Sequence, residues 1–253
     1  MLASIRTRLR GALAVAFIGT VALSLIPAGQ MIAASPTTTG DPPTSAIPTV
    51  KRWLEYLEDG KTRKAWRLIA KSSRRTIGGY DNFEAESSAW AEGWGAWADA
   101  KKRDFELRVV APMDDDADSV VTMTGRVALE GPYRRRAAAL PVQTRDGDTK
   151  VDPAHGKVVI HRIRPANGDT VGRRPRMKAV VGGIRARRNT VFFMVKGSDV
   201  APTRARLDRI GRRTYRATLK WPERLSPGRH VLTVASWGGA GFKADAVRFK
   251  VRR

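Results

Sequence analysis

Tyr215-Arg216-Ala217-Thr218-Leu219-Lys220-Trp221, then His230-Val231-Leu232-Thr233-Val234-Ala235-Ser236-Trp237 after a Pro227-Gly228 turn, then Val247-Arg248-Phe249-Lys250-Val251, spell three consecutive strands. In the first and the last, apolar residues alternate with Arg216, Lys220, Arg248 and Lys250, and Arg252 continues the alternation. Side chains of a strand point to opposite faces with a period of two, so one face meets a core and the other carries a row of cations. The middle stretch is nearly continuously apolar or small, the pattern of a strand buried on both sides. These residues predict an all-β module with a basic outer face.

The charge is concentrated in that module. The chain has 253 residues and a formal net charge of +23. Residues 51–157 contain 20 basic and 18 acidic residues, net +2, whereas residues 173–253 contain 22 basic and 4 acidic ones, net +18. Such a field attracts polyanions in a salt-dependent way, and a merely solvated basic surface is the alternative reading. With 0 Cys there is no disulfide framework, no thiolate metal site, no cysteine nucleophile and no lipid-anchor cysteine.

At the other end, Arg6, Arg8 and Arg10 precede an apolar run over residues 11–26, closed by Pro27 and Gly29. This order is that of an export signal, cleaved near Ala34 or retained as a membrane anchor, and it predicts an extracytoplasmic chain, secreted or anchored. Residues 35–48 are rich in Pro and Thr and predict a disordered linker. An α+β domain is expected over residues 49–166. Thr49 is a candidate cap for a helix carrying Val50, Trp53, Leu54 and Leu57, and Thr62 for a second with Ala65, Trp66 and Ile69. Asp81 with Glu84 opens a longer third helix, along which Phe83, Trp90, Trp94 and Trp97 recur as a core stripe. From Phe105 the period becomes two, and strands follow to about Ile163. Turns are expected at residues 114–118, 130–132 and 145–148. Residues 167–175 break the pattern as a second linker, and the all-β domain occupies residues 176–253.

Two resemblances attach to this order. Residues 50–60 with Ala65-Trp66, and the hairpin from Leu140-Pro141-Val142 to Asp146-Gly147-Asp148-Thr149-Lys150-Val151-Asp152, resemble the ketosteroid-isomerase-like, nuclear-transport-factor-two-like domain that precedes the catalytic part of penicillin-binding transpeptidases. Thr149 stands where that family usually has tryptophan. The resemblance implies a cone of helices over an antiparallel sheet. Thr190-Val191-Phe192-Phe193-Met194-Val195, Leu225-Ser226-Pro227-Gly228-Arg229-His230-Val231-Leu232 and the closing strand at Val247 resemble bacterial immunoglobulin-like modules. That implies a β-sandwich, and Ser236-Trp237-Gly238-Gly239 in place of a polar, often acidic element gives no ground for calcium bridging between modules.

Catalytic chemistry is sparse. No Ser-x-x-Lys and no Lys-Thr-Gly occurs, so the transpeptidase machinery is missing. His155, His161 and His230 lack metal-helix spacing, and Asp114, Asp116 and Asp118 lack the glycine and glutamate of a calcium loop. No catalytic, metal or cofactor residue is assigned. The sequence points to a non-enzymatic cell-envelope binding or scaffold protein. Its candidate anion-binding residues are Arg216, Lys220, Arg248, Lys250 and Arg252, with wall polyanions or phospholipid head groups as partners, a protein partner in the envelope besides, and nucleic acid disfavoured by export. The alternative is small-molecule binding or enzymatic activity in the cone, for which Tyr80, Asp81 and Tyr133 are the available acid and donor types.

Overall fold

A computed structural model describes residues 46–113, 116–129 and 132–253. The expected export signal, nearly all of the first linker, and parts of the 114–118 and 130–132 turns lie outside the described residues. Among the described residues no helix is long and apolar enough to cross a membrane.

The helices come first. α1 (Ala46–Glu58) places Val50, Trp53, Leu54 and Leu57 on one buried face, as the spacing predicts, but it starts within the expected linker, before Thr49. α2 (Thr62–Arg67) begins at Thr62, with Lys61 at the cap position and no side-chain cap. α3 (Lys71–Ile77) has only Ser73 buried and shows no apolar stripe to announce it. The expected long third helix is instead α4 (Tyr80–Ala85), α5 (Ser87–Gly93) and a 3-10 turn at Gly95–Trp97. The backbone leaves helical geometry at Glu86, yet Phe83, Trp90, Trp94 and Trp97 still converge on one core.

That core is completed by a four-stranded meander. β1 (Lys101–Met113), β2 (Asp116–Val127), β3 (Arg134–Arg145) and β4 (Asp148–Val151) pair antiparallel in sequence order. The β3–β4 turn puts Asp146 at φ 51 and Gly147 at φ 74. Two successive left-handed residues are what a two-residue hairpin requires, and Asp-Gly supplies them at least cost. Val121, Met123, Leu140, Val142 and Val151 pack against Trp53, Leu54, Leu57, Phe83 and Trp97. Each such side chain contributes about 1.5–3 kcal/mol when fully buried.

Two further sheets follow. β5 (Val159–Arg164), β7 (Arg176–Gly182), β10 (Arg206–Gly211) and β11 (Thr214–Lys220) form one, in the order β10-β11-β7-β5. β6 (Thr170–Val171), β8 (Asn189–Val195), β9 (Thr203–Arg204), β12 (Gly228–Gly238) and β13 (Lys243–Val251) form the other, in the order β6-β13-β12-β8-β9. Between them Met177, Ala179, Val181, Ala217 and Trp221 meet Val191, Phe193, Val195, Leu232, Val234, Phe249 and Val251. The sequence places β5 in the first domain, but it pairs with β7. Residues 167–175 are no free linker either: β6 pairs parallel with β13, and the Gly168 N–H donates to the Arg248 carbonyl at 2.7 Å.

The third contact joins the two halves. Val110, Val120 and Ala139 on the far face of the meander pack against Phe192, Met194, Val231, Ala235, Ala244 and Ala246 on the far face of β8, β12 and β13. Two buried polar contacts pin the layers together. The Thr122 and Thr233 hydroxyls are 2.8 Å apart, and the Trp237 indole N–H donates to Asp118 Oδ2 at 2.6 Å. Asp118 and Thr122 are four residues apart on β2, Trp237 and Thr233 four apart on β12, so the strands run face to face in opposite directions. Asp118 also receives the Arg145 guanidinium at 2.7 Å and is only 6% exposed, so it is no solvated turn residue. At one edge Arg108 donates to the Ser198 carbonyl at 2.7 Å, and Lys196 pairs with Asp104. At another, Gly156 lies so close to the Ala240–Gly241 turn that a Cβ there would stand 2.2 Å from the Ala240 oxygen. The described residues therefore form one compact unit, mostly β-sheet with a few helices, in four layers: helices, meander, β12-containing sheet, β11-containing sheet.

Candidate anion-binding face

The layer order leaves one broad sheet face without a covering layer, the outer face of β10-β11-β7-β5. Alternation puts Ala217 inward and Arg216, Thr218 and Lys220 outward on β11. On β7 it puts Met177, Ala179 and Val181 inward and Arg176 and Lys178 outward. The register sets Lys220 directly opposite Arg176, Thr218 opposite Lys178, and Arg206 on β10 opposite Thr218. Like charges directly opposed on neighbouring strands are destabilising, by a few tenths of a kcal/mol up to about 1 kcal/mol. Folding does not favour this pairing, whereas an anion lying across the strands would reverse its sign. Arg176, Lys178, Arg204, Arg206, Arg216 and Lys220 border an open recess of about 620 Å³. The one acidic residue lining it, Asp208, accepts from Arg206 at 3.0 Å and stands opposite Arg216.

The five cations expected to act together are split by the fold. Arg216 and Lys220 lie on this face. Arg248 and Lys250 share the β13 face with Ala244 and Ala246, which turns toward the meander, and Arg252 is exposed just beyond the end of β13. The sequence reads that side of β13 as solvent-facing, but the meander covers its first half. Where the meander ends, Arg248 stands in a cleft of about 300 Å³ with Arg135, Arg229 and Lys250. Burial, then the Arg135 and Arg229 guanidinia, lowers the Arg248 pKa from its ordinary value. Arg229 is directly opposite Lys250, and Arg135 opposite Arg126. This is a second basic region, on the other side of the sandwich.

Sequence reasoning left Arg204 and Arg206 out of the anion-binding set and also missed, on β7, Arg176 and Lys178. The signal for the β7 pair was the same alternation, Arg176-Met177-Lys178-Ala179-Val180-Val181, in the stretch immediately after the supposed linker.

The remaining candidates are dispersed or engaged. The Tyr80 hydroxyl donates to Glu84 at 2.6 Å, Asp81 is exposed in the first turn of α4, and the Tyr133 hydroxyl donates to Asp99 at 3.0 Å, so these three form no common site. The centre of the space between helices and meander is filled by rings, with Trp53 at 5.8 Å from Trp94 and 6.4 Å from Trp90, and Phe83 at 5.4 Å from both Trp66 and Trp90, while an open recess of about 590 Å³ remains at its margin between α5 and Leu129 and Arg136. His155 Nδ1 is 2.8 Å from the fully buried Asp152, which also accepts from Ser72 and Ser73 and so ties the β4–β5 connection to α3. His230 Nε2 contacts the Ser226 carbonyl at 2.8 Å with its ring against Phe249, and His161 is exposed on β5. Among the described residues no group of three or more His, Cys, Asp or Glu is arranged to hold a metal.

No known protein family matches the chain, and no curated protein does. Among solved structures, a titin substructure overlaps 60% of this chain and 99% of its own length at 15% identity and a TM-score of 0.24. Tandem immunoglobulin domains of titin overlap 59% and 96% at 8% identity and the same TM-score of 0.24. Overlaps that loose carry no argument about this chain's fold or its function.

Proposed function

We propose that the chain is an exported, non-enzymatic cell-envelope protein that holds anionic polymers or lipid head groups on the outer face of β10-β11-β7-β5. The observation that carries this reading is the opposed cation pair Lys220 and Arg176, flanked by Lys178, Arg204, Arg206 and Arg216 around a single acidic residue. A polyanion aligned across the strands neutralises like charges that the fold itself holds together, and its displaced counterions add an entropic gain. In this reading the second module is immunoglobulin-like and the first is a relative of the ketosteroid-isomerase-like domain that serves as a rigid spacer. The tryptophans between its helices and its meander support a spacer, because they fill the centre of the cone and leave only a recess at its margin. With an export signal expected at residues 1–34, this reading puts the partner outside the cytoplasm, where phosphate-bearing wall polymers and phospholipid surfaces are the abundant polyanions.

The test is retention of the protein on purified phosphate-bearing wall polymer and on vesicles with and without anionic lipid. Wild type should be retained by an anionic matrix and released by salt. A Lys178→Glu/Arg216→Glu/Lys220→Glu variant with unchanged circular dichroism should pass through. Equal retention of the two proteins removes the reading.

A further inference from the structure

At one end of the sandwich, four connections converge on a recess distinct from the basic sheet face. Arg185 and Arg188 come from the β7–β8 turn, Arg213 from the β10–β11 turn, Lys157 from the approach to β5, and Gly239 and Ala240 from the β12–β13 turn. The fold holds these connections firmly. The Arg188 and Asn189 N–H groups both donate to the Arg185 carbonyl at 2.9 Å, and the Gly239 N–H donates to the Arg188 carbonyl at 3.0 Å. The recess has a volume of about 280 Å³. No lining residue is acidic, and none of the four cations has a carboxylate partner among the described residues.

The second observation is Asn189, which also lines the recess. It is only 2% exposed, its Oδ1 accepts the Arg185 N–H at 3.4 Å, and its amide nitrogen is itself buried beside the recess. That nitrogen has no hydrogen-bond partner among the described residues. Buried donors are nearly always satisfied, so an orphan NH2 beside four unpaired cations marks the place of an absent acceptor.

We propose that this recess binds a phosphate oxyanion, with the Asn189 amide donating to one oxygen and the guanidinia of Arg185, Arg188 and Arg213 and the Lys157 ammonium balancing its charge. Several guanidinium forks suit the tetrahedral, multiply charged phosphate better than a planar, singly charged carboxylate. The site is separate from the polyanion face and does not depend on it.

Titration calorimetry at constant ionic strength, with inorganic phosphate and with acetate, tests the proposal. Phosphate should bind to one saturable site, and acetate at least tenfold more weakly. Asn189→Asp, which puts a carboxylate where the phosphate oxygen would lie, should abolish phosphate binding. It should also raise the melting temperature in phosphate-free, low-salt buffer and remove the further rise that phosphate gives wild type. Arg188→Ala/Arg213→Ala should weaken binding at least tenfold, and serves if Asn189→Asp fails to fold, while Lys178→Glu/Lys220→Glu should leave it unchanged. Competition by phosphatidic acid vesicles assigns the phosphate to a lipid, and absence of competition assigns it to a soluble ester; either keeps the site. Lack of saturable phosphate binding, acetate binding as tight as phosphate, or wild-type affinity in both recess variants overturns it.

Discussion

Replacing Thr122 and Thr233 by valine, singly and together, probes the seam between the meander and the sandwich. The two hydroxyls are 2.8 Å apart, and the residues are 3% and 2% exposed. Either single valine keeps the shape but strands the other hydroxyl away from water, at a cost of about 1–3 kcal/mol. The double variant strands nothing and should be within about 1 kcal/mol of wild type, because two apolar groups of the same shape replace a satisfied pair. The cycle then shows a coupling of about 2–6 kcal/mol, the sum of the two single costs, well outside the additivity of independent sites. Equilibrium urea unfolding of the four proteins measures it, followed in parallel by tryptophan fluorescence and by far-ultraviolet circular dichroism. Because the seam joins the helical half to the sandwich, both probes should report one coincident transition. Single variants within about 0.5 kcal/mol of wild type, additive in combination, would refute a closed seam, as would two separate transitions.

Other consequences of the packing can be measured in the same way. Trp237→Phe removes the donor to buried Asp118 and should cost about 1.5–3 kcal/mol in urea, the value of a hydrogen bond to a charged group. Gly156→Ala should cost at least about 2 kcal/mol, since it combines a left-handed φ of +76 with a collision against the Ala240 carbonyl. Burial raises the Asp245 pKa above its ordinary value, despite the Ala246 N–H and the Lys243 charge that lower it. A raised folded-state pKa means that Asp245 contributes stability at acid pH that is lost as the pH rises through that pKa. Asp245→Asn should therefore be more stable than wild type at neutral pH, and the difference should vanish near about pH 3, where the wild-type carboxyl is protonated in both states.

Much of the fold was legible because burial has a period. The run from Val231 to Ala235, apolar or small but for Thr233, signalled a strand buried on both sides, and Leu232 and Val234 face one core while Val231 and Ala235 face another. What covers the second face was not legible. Ala244 and Ala246 share the parity of Arg248 and Lys250, and only the approach of the meander distinguishes the small residues it covers from the cations beyond its edge. The Gly, Arg and Pro content at 167–175 marks a real irregularity, but composition cannot tell a linker from a short strand added at a sheet edge, and β5 was assigned to the wrong sheet for that reason. Of the five expected cations, Arg216 and Lys220 lie together on an uncovered basic face. Their partners Arg176 and Lys178 come from a strand some forty residues earlier, adjacent only through the β11–β7 pairing.

The salt dependence of polyanion binding tests that face most directly. Removing a cation that contacts phosphate should weaken binding and reduce the slope of log affinity against log salt by about 1 per contact. Lys178→Ala/Arg216→Ala/Lys220→Ala should thus flatten the slope by up to about 3, while Arg248→Ala/Lys250→Ala, on the other side of the sandwich, should leave it as in wild type. An unchanged slope in the first variant, with a flattened one in the second, would contradict the account.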